Sequence, residues 1–444
     1  MTLPTSENSS TVSPAAPSMT LPPIAQVPAA WTFLGLLGGL AAGAGVAFAA
    51  PQALPVVETW VQPVGEMWLR ALQATIVPLV AALLFTGVTQ TVATASAGAL
   101  ARRSLGLFLM VLAFSAAMSL VLTPALIALL PIPGDAAEAL RQTLSGREAG
   151  PVPGIADFLR SIVPTNVLDA AANDRMLPLI LFMAVFALAV TRIAPPQREV
   201  MSAFFAAIAS AMLVVIGWVL ALAPLGVFAL SLAVAAKSGT AVIGALAHYI
   251  LIVALAGSGV VIAGYVLAVV LARKPLGAFA RAMVPVQTFA LSTQSSLASL
   301  PAMLGACRNL GLRETTAEFV MPLAVALFRA TSPAMNLAVA VYVAHLYGVA
   351  LTPMAMIAGF AVAILVSLSS VSLPGSISFV ASVGPIAIAM GVPVEPLALL
   401  VAVEVLPDLM RTLGNVTMDV AVTAAVDRAQ TADDMHEAQL SVQE

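Results

Sequence analysis

Five polar residues share one otherwise apolar stretch near the carboxyl end of the sequence: Glu404, Asp408, Arg411, Asn415 and Asp419. At about 100° per residue they fall on a helix within an arc of about 80°, which makes one face polar and leaves the rest apolar. An unpaired charge at mid-bilayer costs at least about 2.5–3.5 kcal/mol, so such a stripe implies a use. A structural ion pair would explain one aspartate and one arginine. It does not explain three carboxylates and an amide against the single Arg411. Arg411 is always charged and offers a planar fork suited to a carboxylate. Asp408, three residues earlier, could accept an ammonium group or fix Arg411. A small dianionic or zwitterionic solute fits that combination.

The elements that must position this face belong to a membrane. The chain has 444 residues, 61% hydrophobic and only 9% charged, with a mean hydropathy of +1.03. A soluble domain needs roughly a quarter of its residues charged to cover its surface. The net charge of −3 offers no basic field for nucleic acid, and the single cysteine, Cys307, excludes an internal disulfide framework. Residues 1–28 are rich in Ser, Thr and Pro without Lys or Arg, and read as a disordered tail. Runs of about 20 apolar residues, the length of a bilayer span, begin with Trp31–Ala50, about Met67 to Val88, and Leu105–Leu130. They continue with Leu177–Val190, Met201–Ala235, Ala241–Leu271, Phe319–Leu346 and Pro396–Val426. Arg102, Arg103, Arg192, Arg198, Arg273, Lys274 and Arg281 sort onto alternate connections. Placing these inside puts both termini in the cytoplasm and Pro131–Asp174 outside.

Two stretches break the pattern. Pro275–Arg308 centres on Ser292-Thr293-Gln294-Ser295-Ser296, and Pro353–Met390 centres on Ser367 to Ser376 with Pro374-Gly375 inside it. Each is long enough for two half-helices with a polar tip. Hydrocarbon tolerates unwound backbone only where it is buried in protein or lines a cavity, and a pair of interrupted segments points to a transporter's binding site. Half-helix amino termini at these tips would offer N–H donors to a carboxylate. The alternative is two ordinary helices with small polar residues for close packing.

Arg329 is a further charge inside an apolar span. It would either neutralise Glu404, Asp408 or Asp419 across a helix interface, or act as a second anion grip. His345 reads as an interfacial residue, and His248 and Cys307 as packing residues. No nucleophile–base set, phosphate loop or metal-ligand cluster is visible, so the expectation is a protein that is not an enzyme and needs no cofactor.

Together these stretches resemble the dicarboxylate/amino acid:cation symporters, the family of bacterial glutamate and C4-dicarboxylate carriers and excitatory amino acid transporters. The resemblance runs from about Trp31 to Arg428. It rests on Val163-Pro164-Thr165-Asn166, Ala223-Pro224-Leu225-Gly226-Val227-Phe228-Ala229-Leu230, Ser295-Ser296 with Leu300-Pro301, and Leu373-Pro374-Gly375. The last and longest match is Asp408-x-x-Arg411-Thr412-x-x-Asn415-x-Thr417-x-Asp419. It implies an all-α polytopic membrane protein with eight transmembrane helices and two re-entrant hairpins, assembled as a homotrimer in the bacterial inner membrane. Helices one, two, four and five would form a scaffold, and the remainder an elevator-type transport domain. The corresponding division is 1–28 tail, 29–130 helices one to three, 131–175 external loop, 176–240 helices four and five, 241–426 transport core and 427–444 cytoplasmic tail. By the same resemblance Ser295 and Ser296 form one substrate-binding tip and Ser372, Leu373, Pro374 and Gly375 the gating one. Asp408 would hold a substrate amino group, Arg411 a side-chain carboxylate, and Thr412 and Asn415 would complete the site. Asn415 and Asp419 would contribute to a sodium site.

The departures concern that sodium site. The family's seventh helix carries Asn-Met-Asp-Gly-Thr, where this chain has Phe328-Arg329-Ala330-Thr331-Ser332. The third helix offers Ala113, Ala116 and Ala117 where hydroxyl ligands would be expected. A hard cation needs a cage of oxygens. The expectation is therefore an acidic amino acid symporter, with a C4-dicarboxylate carrier or an uncoupled anion-conducting relative as alternatives. Its coupling would be to H+ through Glu404 rather than to Na+, or a fixed Arg329 charge would stand in for one cation.

Overall fold

Residues 29–96, 98–132, 134, 163–173, 175–238, 241–369 and 375–441 are described by a computed structural model, in which they form helices, turns and connections without a strand. In chain order the principal helices are α1 (Ala29–Ala49), α2 (Gln62–Gln73), α3 (Ile76–Ala95), α4 (Ala99–Leu129), α5 (Val167–Ala172), α6 (Met176–Val190), α7 (Pro195–Ala221) and α8 (Ala223–Ser238). Then come α9 (Ala241–Val270), α10 (Leu276–Thr293), α11 (Leu300–Asn309), α12 (Glu314–Leu327), α13 (Thr331–Tyr347), α14 (Pro353–Ser369), α15 (Gly375–Ala389), α16 (Leu397–Leu400) and α17 (Val405–Ser441). Six helical stretches among them are long and apolar enough to cross a membrane: Trp31–Ala49, Pro51–Ala95, Ala99–Leu129, Pro195–Ala221, Val242–Val270 and Glu314–Tyr347. The protein is a multi-pass, all-helical membrane protein.

Several runs that read as single spans are broken. The stretch Met201–Ala235 divides at Leu222, because Pro224 brings no N–H to continue the ladder. The run from about Met67 to Val88 turns at Ala74 and Thr75, ahead of Pro78. Pro396–Val426 was expected as one helix. Instead α16 ends at Leu400, a turn covers 401–404, and α17 begins at Val405, so Glu404 sits just ahead of the helix. Its carbonyl accepts the Asp408 N–H at 2.9 Å, the first hydrogen bond of α17. The helix then runs through position 427 to Ser441 without a boundary.

The helices pack in two sets. In the first, α1 lies along α8, α2 against α8, and α3 against α6 and α7. The α1–α8 contact is close because Gly39 and Gly43 face it. A Cβ on Gly39 would lie 2.0 Å from the Ser231 hydroxyl, and one on Gly43 2.4 Å from the Leu232 carbonyl. Small residues are what let two backbones approach this far where lipid offers no hydrophobic drive. In the second set α17 runs against α9, with α4, α10, α12 and α13 around it. The interrupted segments are each a pair of helices in mutual contact, α10 with α11 and α14 with α15. The α14–α15 pair also packs on α3, which joins the two sets.

Candidate functional site

The site is organised by a break in the seventh long segment. Phe319–Leu346 reads as one span, but α12 stops at Leu327 and α13 restarts at Thr331. Phe328 is extended, with φ −110° and ψ 103°. Pro333, in the first turn of α13, needs no backbone acceptor there. Phe328 is held against α4 by stacking on Phe108, ring centroids 4.5 Å apart. Two α4 hydroxyls bind the restarted helix. Ser115 Oγ donates to the Ala330 carbonyl and Ser119 Oγ to that of Ala334, each at 2.6 Å. The family resemblance puts Ala113, Ala116 and Ala117 where hydroxyl ligands would be expected on this helix. The hydroxyls that reach the break from α4 are those of Ser115 and Ser119.

Arg411 lies at the centre of the charged face and is 6% exposed; Glu404 and Asp419 are each 1% exposed. Its Nη2 donates to Glu404 Oε1 at 2.6 Å, its Nη1 to Asn336 Oδ1 at 2.9 Å, and its Nε lies 3.2 Å from Asp408 Oδ1. A guanidinium has five N–H donors, so among the described residues each terminal nitrogen keeps one more. The partners are themselves held. Tyr249 on α9 donates to Glu404 Oε2 at 3.1 Å, and Asn336 Nδ2 donates to the Ser332 hydroxyl at 3.0 Å. Thus α9, α13 and the turn before α17 each contribute one group that fixes Arg411. In chemical terms this is a desolvated guanidinium with donors to spare, next to a carboxylate.

One turn further along α17, Asn415 turns to the helix break. Its Oδ1 accepts the Thr331 N–H at 3.0 Å and the Thr331 hydroxyl at 2.7 Å, so it caps the start of α13. That hydroxyl also lies 3.1 Å from the Arg411 carbonyl. Gly414 permits the approach, since a Cβ there would stand 2.4 Å from Thr331 Cγ2. A turn beyond, Asp419 is enclosed, and neither of its carboxylate oxygens has a hydrogen-bond partner among the described residues. Arg329, at the break itself, has an equally unpartnered buried Nε. Its charge acts on both Asp408 and Asp419.

The expected residues are therefore only partly gathered. Glu404, Asp408 and Arg411 touch one another, and Asn415, Asp419 and Arg329 surround the break. Ser295 and Ser296 follow a left-handed Gln294 (φ 50°) at the end of α10. Ser295 Oγ accepts the Ala298 N–H at 3.2 Å, and no hydrogen bond joins either serine to Arg411 or Asp408. The α10–α11 pair is instead fastened to α17 at Gln287, whose Nε2 donates to Thr417 Oγ1 at 3.0 Å. Thr412 donates to its own helix, at the Asp408 carbonyl, 3.1 Å away. Ser372, Leu373 and Pro374 lie outside the described residues, and Gly375 opens α15. His248, taken for a packing residue, has partners: Nδ1 lies 3.2 Å from the Tyr342 hydroxyl and Nε2 lies 2.8 Å from the Leu130 carbonyl.

Sequence reasoning missed Asn336, Tyr249, Thr331, Ser332, Gln287 and the two α4 serines. Asn336 carried a usable signal, an amide two turns from Arg329 inside an apolar run. The serines carried none, since a hydroxyl in an apolar helix more often bonds its own preceding turn.

Comparison with known proteins places this arrangement. The family model for the sodium:dicarboxylate symporter family matches residues 29–429. The chain belongs to that family. The proton/sodium-glutamate symport protein of Bacillus subtilis (strain 168) is 28% identical over 394 residues, covering 87% of this chain and 88% of the relative. The proton/glutamate-aspartate symporter of Escherichia coli (strain K12) is 29% identical over 265 residues, 59% of this chain and 60% of the relative. The C4-dicarboxylate transport protein of Anaeromyxobacter sp. (strain K) is 25% identical over 386 residues, covering 84% and 85%.

Membership in the sodium:dicarboxylate symporter family raises the question of sodium, and the residues at the break do not fit it. Phe328 and Ala330 offer no side-chain oxygen. Asn415 Oδ1 is already taken by two Thr331 donors. The Arg329 carbonyl accepts the Ser332 N–H at 3.0 Å, and the Ala330 carbonyl accepts Ser115. The carboxylate of Asp419 has no hydrogen bond among the described residues, and the Arg329 charge already acts on it.

Proposed function

We propose that this protein is a secondary active symporter for a small anionic solute, in the first place an acidic amino acid such as glutamate or aspartate. The observation that carries this reading is Arg411, buried in a bundle of apolar helices, with one donor on each terminal nitrogen unused among the described residues and Asp408 beside it. The guanidinium would take a carboxylate, and Asp408 the ammonium group. Ser295 and Ser296, with Ser372 to Gly375, would close over the solute from the two hairpins, and Thr412 and Asn415 would line it. The names of the relatives from Bacillus subtilis and Escherichia coli support the choice.

Coupling in this reading is to protons, through Glu404. Glu404 holds one terminal nitrogen of Arg411. Protonating it removes the charge that competes with an incoming carboxylate, so proton and solute favour each other's binding. Reciprocity of that kind is what symport requires. Eight spans, two re-entrant hairpins, cytoplasmic termini, a trimer in the bacterial cytoplasmic membrane, and an elevator movement of 241–426 against the scaffold complete the proposal.

Uptake of labelled L-glutamate, L-aspartate and succinate into proteoliposomes tests it, under an imposed pH gradient and separately under a sodium gradient. Accumulation of an amino acid driven by pH, lost in Arg411→Ala, is expected. Preference for succinate would favour the second reading, a C4-dicarboxylate carrier, as the Anaeromyxobacter relative is named. Sodium dependence without a pH response would remove Glu404 from its role. Flux without accumulation would mean an anion conductance.

A further inference from the structure

We infer that the guanidinium of Arg329 is the built-in counter-charge of Asp419, a tethered cation doing at the helix break what a free monovalent ion would otherwise do. Asp419 is shut away from water with both oxygens unbonded among the described residues. A buried ionised carboxylate without compensation is among the most costly features a fold can hold. Arg329 stands where the chain is unwound, two residues before Thr331, whose two hydrogen bonds to Asn415 hold the break against α17 one turn before Asp419. Its Nε has no acceptor among the described residues, and its charge acts on Asp408 first and on Asp419 as well. No contact ion pair joins the two groups among the described residues, so the link between them is attraction through space, which low dielectric strengthens.

The surrounding donors explain why no metal is needed. Ser115, Ser332 and Thr331 have taken the oxygens that a cation would coordinate. A positive side chain fixed to the backbone cannot leave with the solute, and it is present at any sodium concentration. The consequence for transport rests on the symporter reading above: of the charges at the site, only those near Arg411 exchange during a cycle. The inference about Asp419 itself needs no solute, and its test does not use one.

The full-length protein in detergent is melted in choline chloride and in sodium chloride, as wild type, Arg329→Lys, Arg329→Met, Asp419→Asn and Arg329→Met/Asp419→Asn. Wild type and Arg329→Lys are expected to melt at the same temperature in both salts. Arg329→Met alone should melt lower in choline, by at least about 4 °C, and regain part of this as sodium is added. Removing both charges should restore the melting temperature in choline. Should Arg329→Met fail to fold, recovery of folded protein in the double variant supports the pairing equally. A double variant no more stable than Arg329→Met overturns it. So does a saturable sodium stabilisation of the wild type that Asp419→Asn abolishes. Failure of uptake in every gradient would leave this result standing and would count only against the symporter reading.

Discussion

Two carboxylates at the ends of one polar face, Glu404 and Asp419, are equally buried and opposite in their surroundings. Glu404 has a partner on each oxygen, Arg411 at 2.6 Å and Tyr249 at 3.1 Å. Among the described residues Asp419 has none on either. About 12 Å of α17 separates Arg411 from Asp419 at 1.5 Å rise per residue. Over that distance the site changes from a closed hydrogen-bonded network to a charge balanced only through space. Burial alone therefore does not say what a membrane carboxylate is for. The near half is a knot of mutually fixed groups around a guanidinium that retains spare donors, as a binding site requires. The far half is a fixed charge pair around broken backbone, where the donors are spent on holding the break.

Removing the same charge from each half would expose the difference. Glu404→Ala leaves Arg411 with one carboxylate fewer and Tyr249 without its acceptor. Truncating one partner of a buried pair costs about 3–5 kcal/mol, and a drop of that size in chemical or thermal unfolding is expected. Asp419→Asn removes no hydrogen bond, and Arg329 keeps Asp408 in reach. Its cost should stay within about 1 kcal/mol, the middle of the range for point mutants. Equal effects of the two would mean that hydrogen bonding to Glu404 adds nothing beyond its burial.

Asn336→Leu is an intermediate case. It takes the acceptor from Arg411 Nη1 and leaves the Ser332 hydroxyl without its donor. An unsatisfied buried partner costs about 1–3 kcal/mol. Guanidinium orientation should suffer as well, so the apparent affinity for an acidic solute should fall more than the maximal uptake rate. Loss of rate at unchanged affinity would place Asn336 outside the Arg411 network.

How much of this the sequence carried depended on whether the signal was local. The charged face was legible because intramembrane charge is rare and its spacing can be counted, and most helix boundaries followed from apolar length. The helix breaks were not. Thr331 and Phe328 look like ordinary helix residues, and what unwinds the chain between them is Phe108 stacking from α4 and Asn415 capping from α17. Those partners lie about 80 residues on from Thr331 or on a helix two hundred residues earlier. Arg329 was seen as a charge, but its neighbours were open between Glu404, Asp408 and Asp419. Its charge acts on the last two, Asp408 before Asp419. Glu404 itself was misplaced by one position's worth of structure, on the helix rather than in the turn before it, because nothing in Val401 to Val405 marks an end.

Ser115→Ala is expected to have a similarly small effect, and it bears on the far half directly. Ser115→Ala removes one hydroxyl from the Ala330 carbonyl and leaves Phe328 stacked on Phe108. A single neutral hydrogen bond is worth about 0.5–1.5 kcal/mol net. The carbonyl it frees, however, is an oxygen at the edge of the break. If the spent donors are what close this region to metal, the variant should gain a weak sodium-dependent rise in melting temperature that the wild type lacks. A loss of stability identical in sodium and in choline would assign the exclusion to Arg329 alone, and would narrow the contrast between the two halves to one side chain.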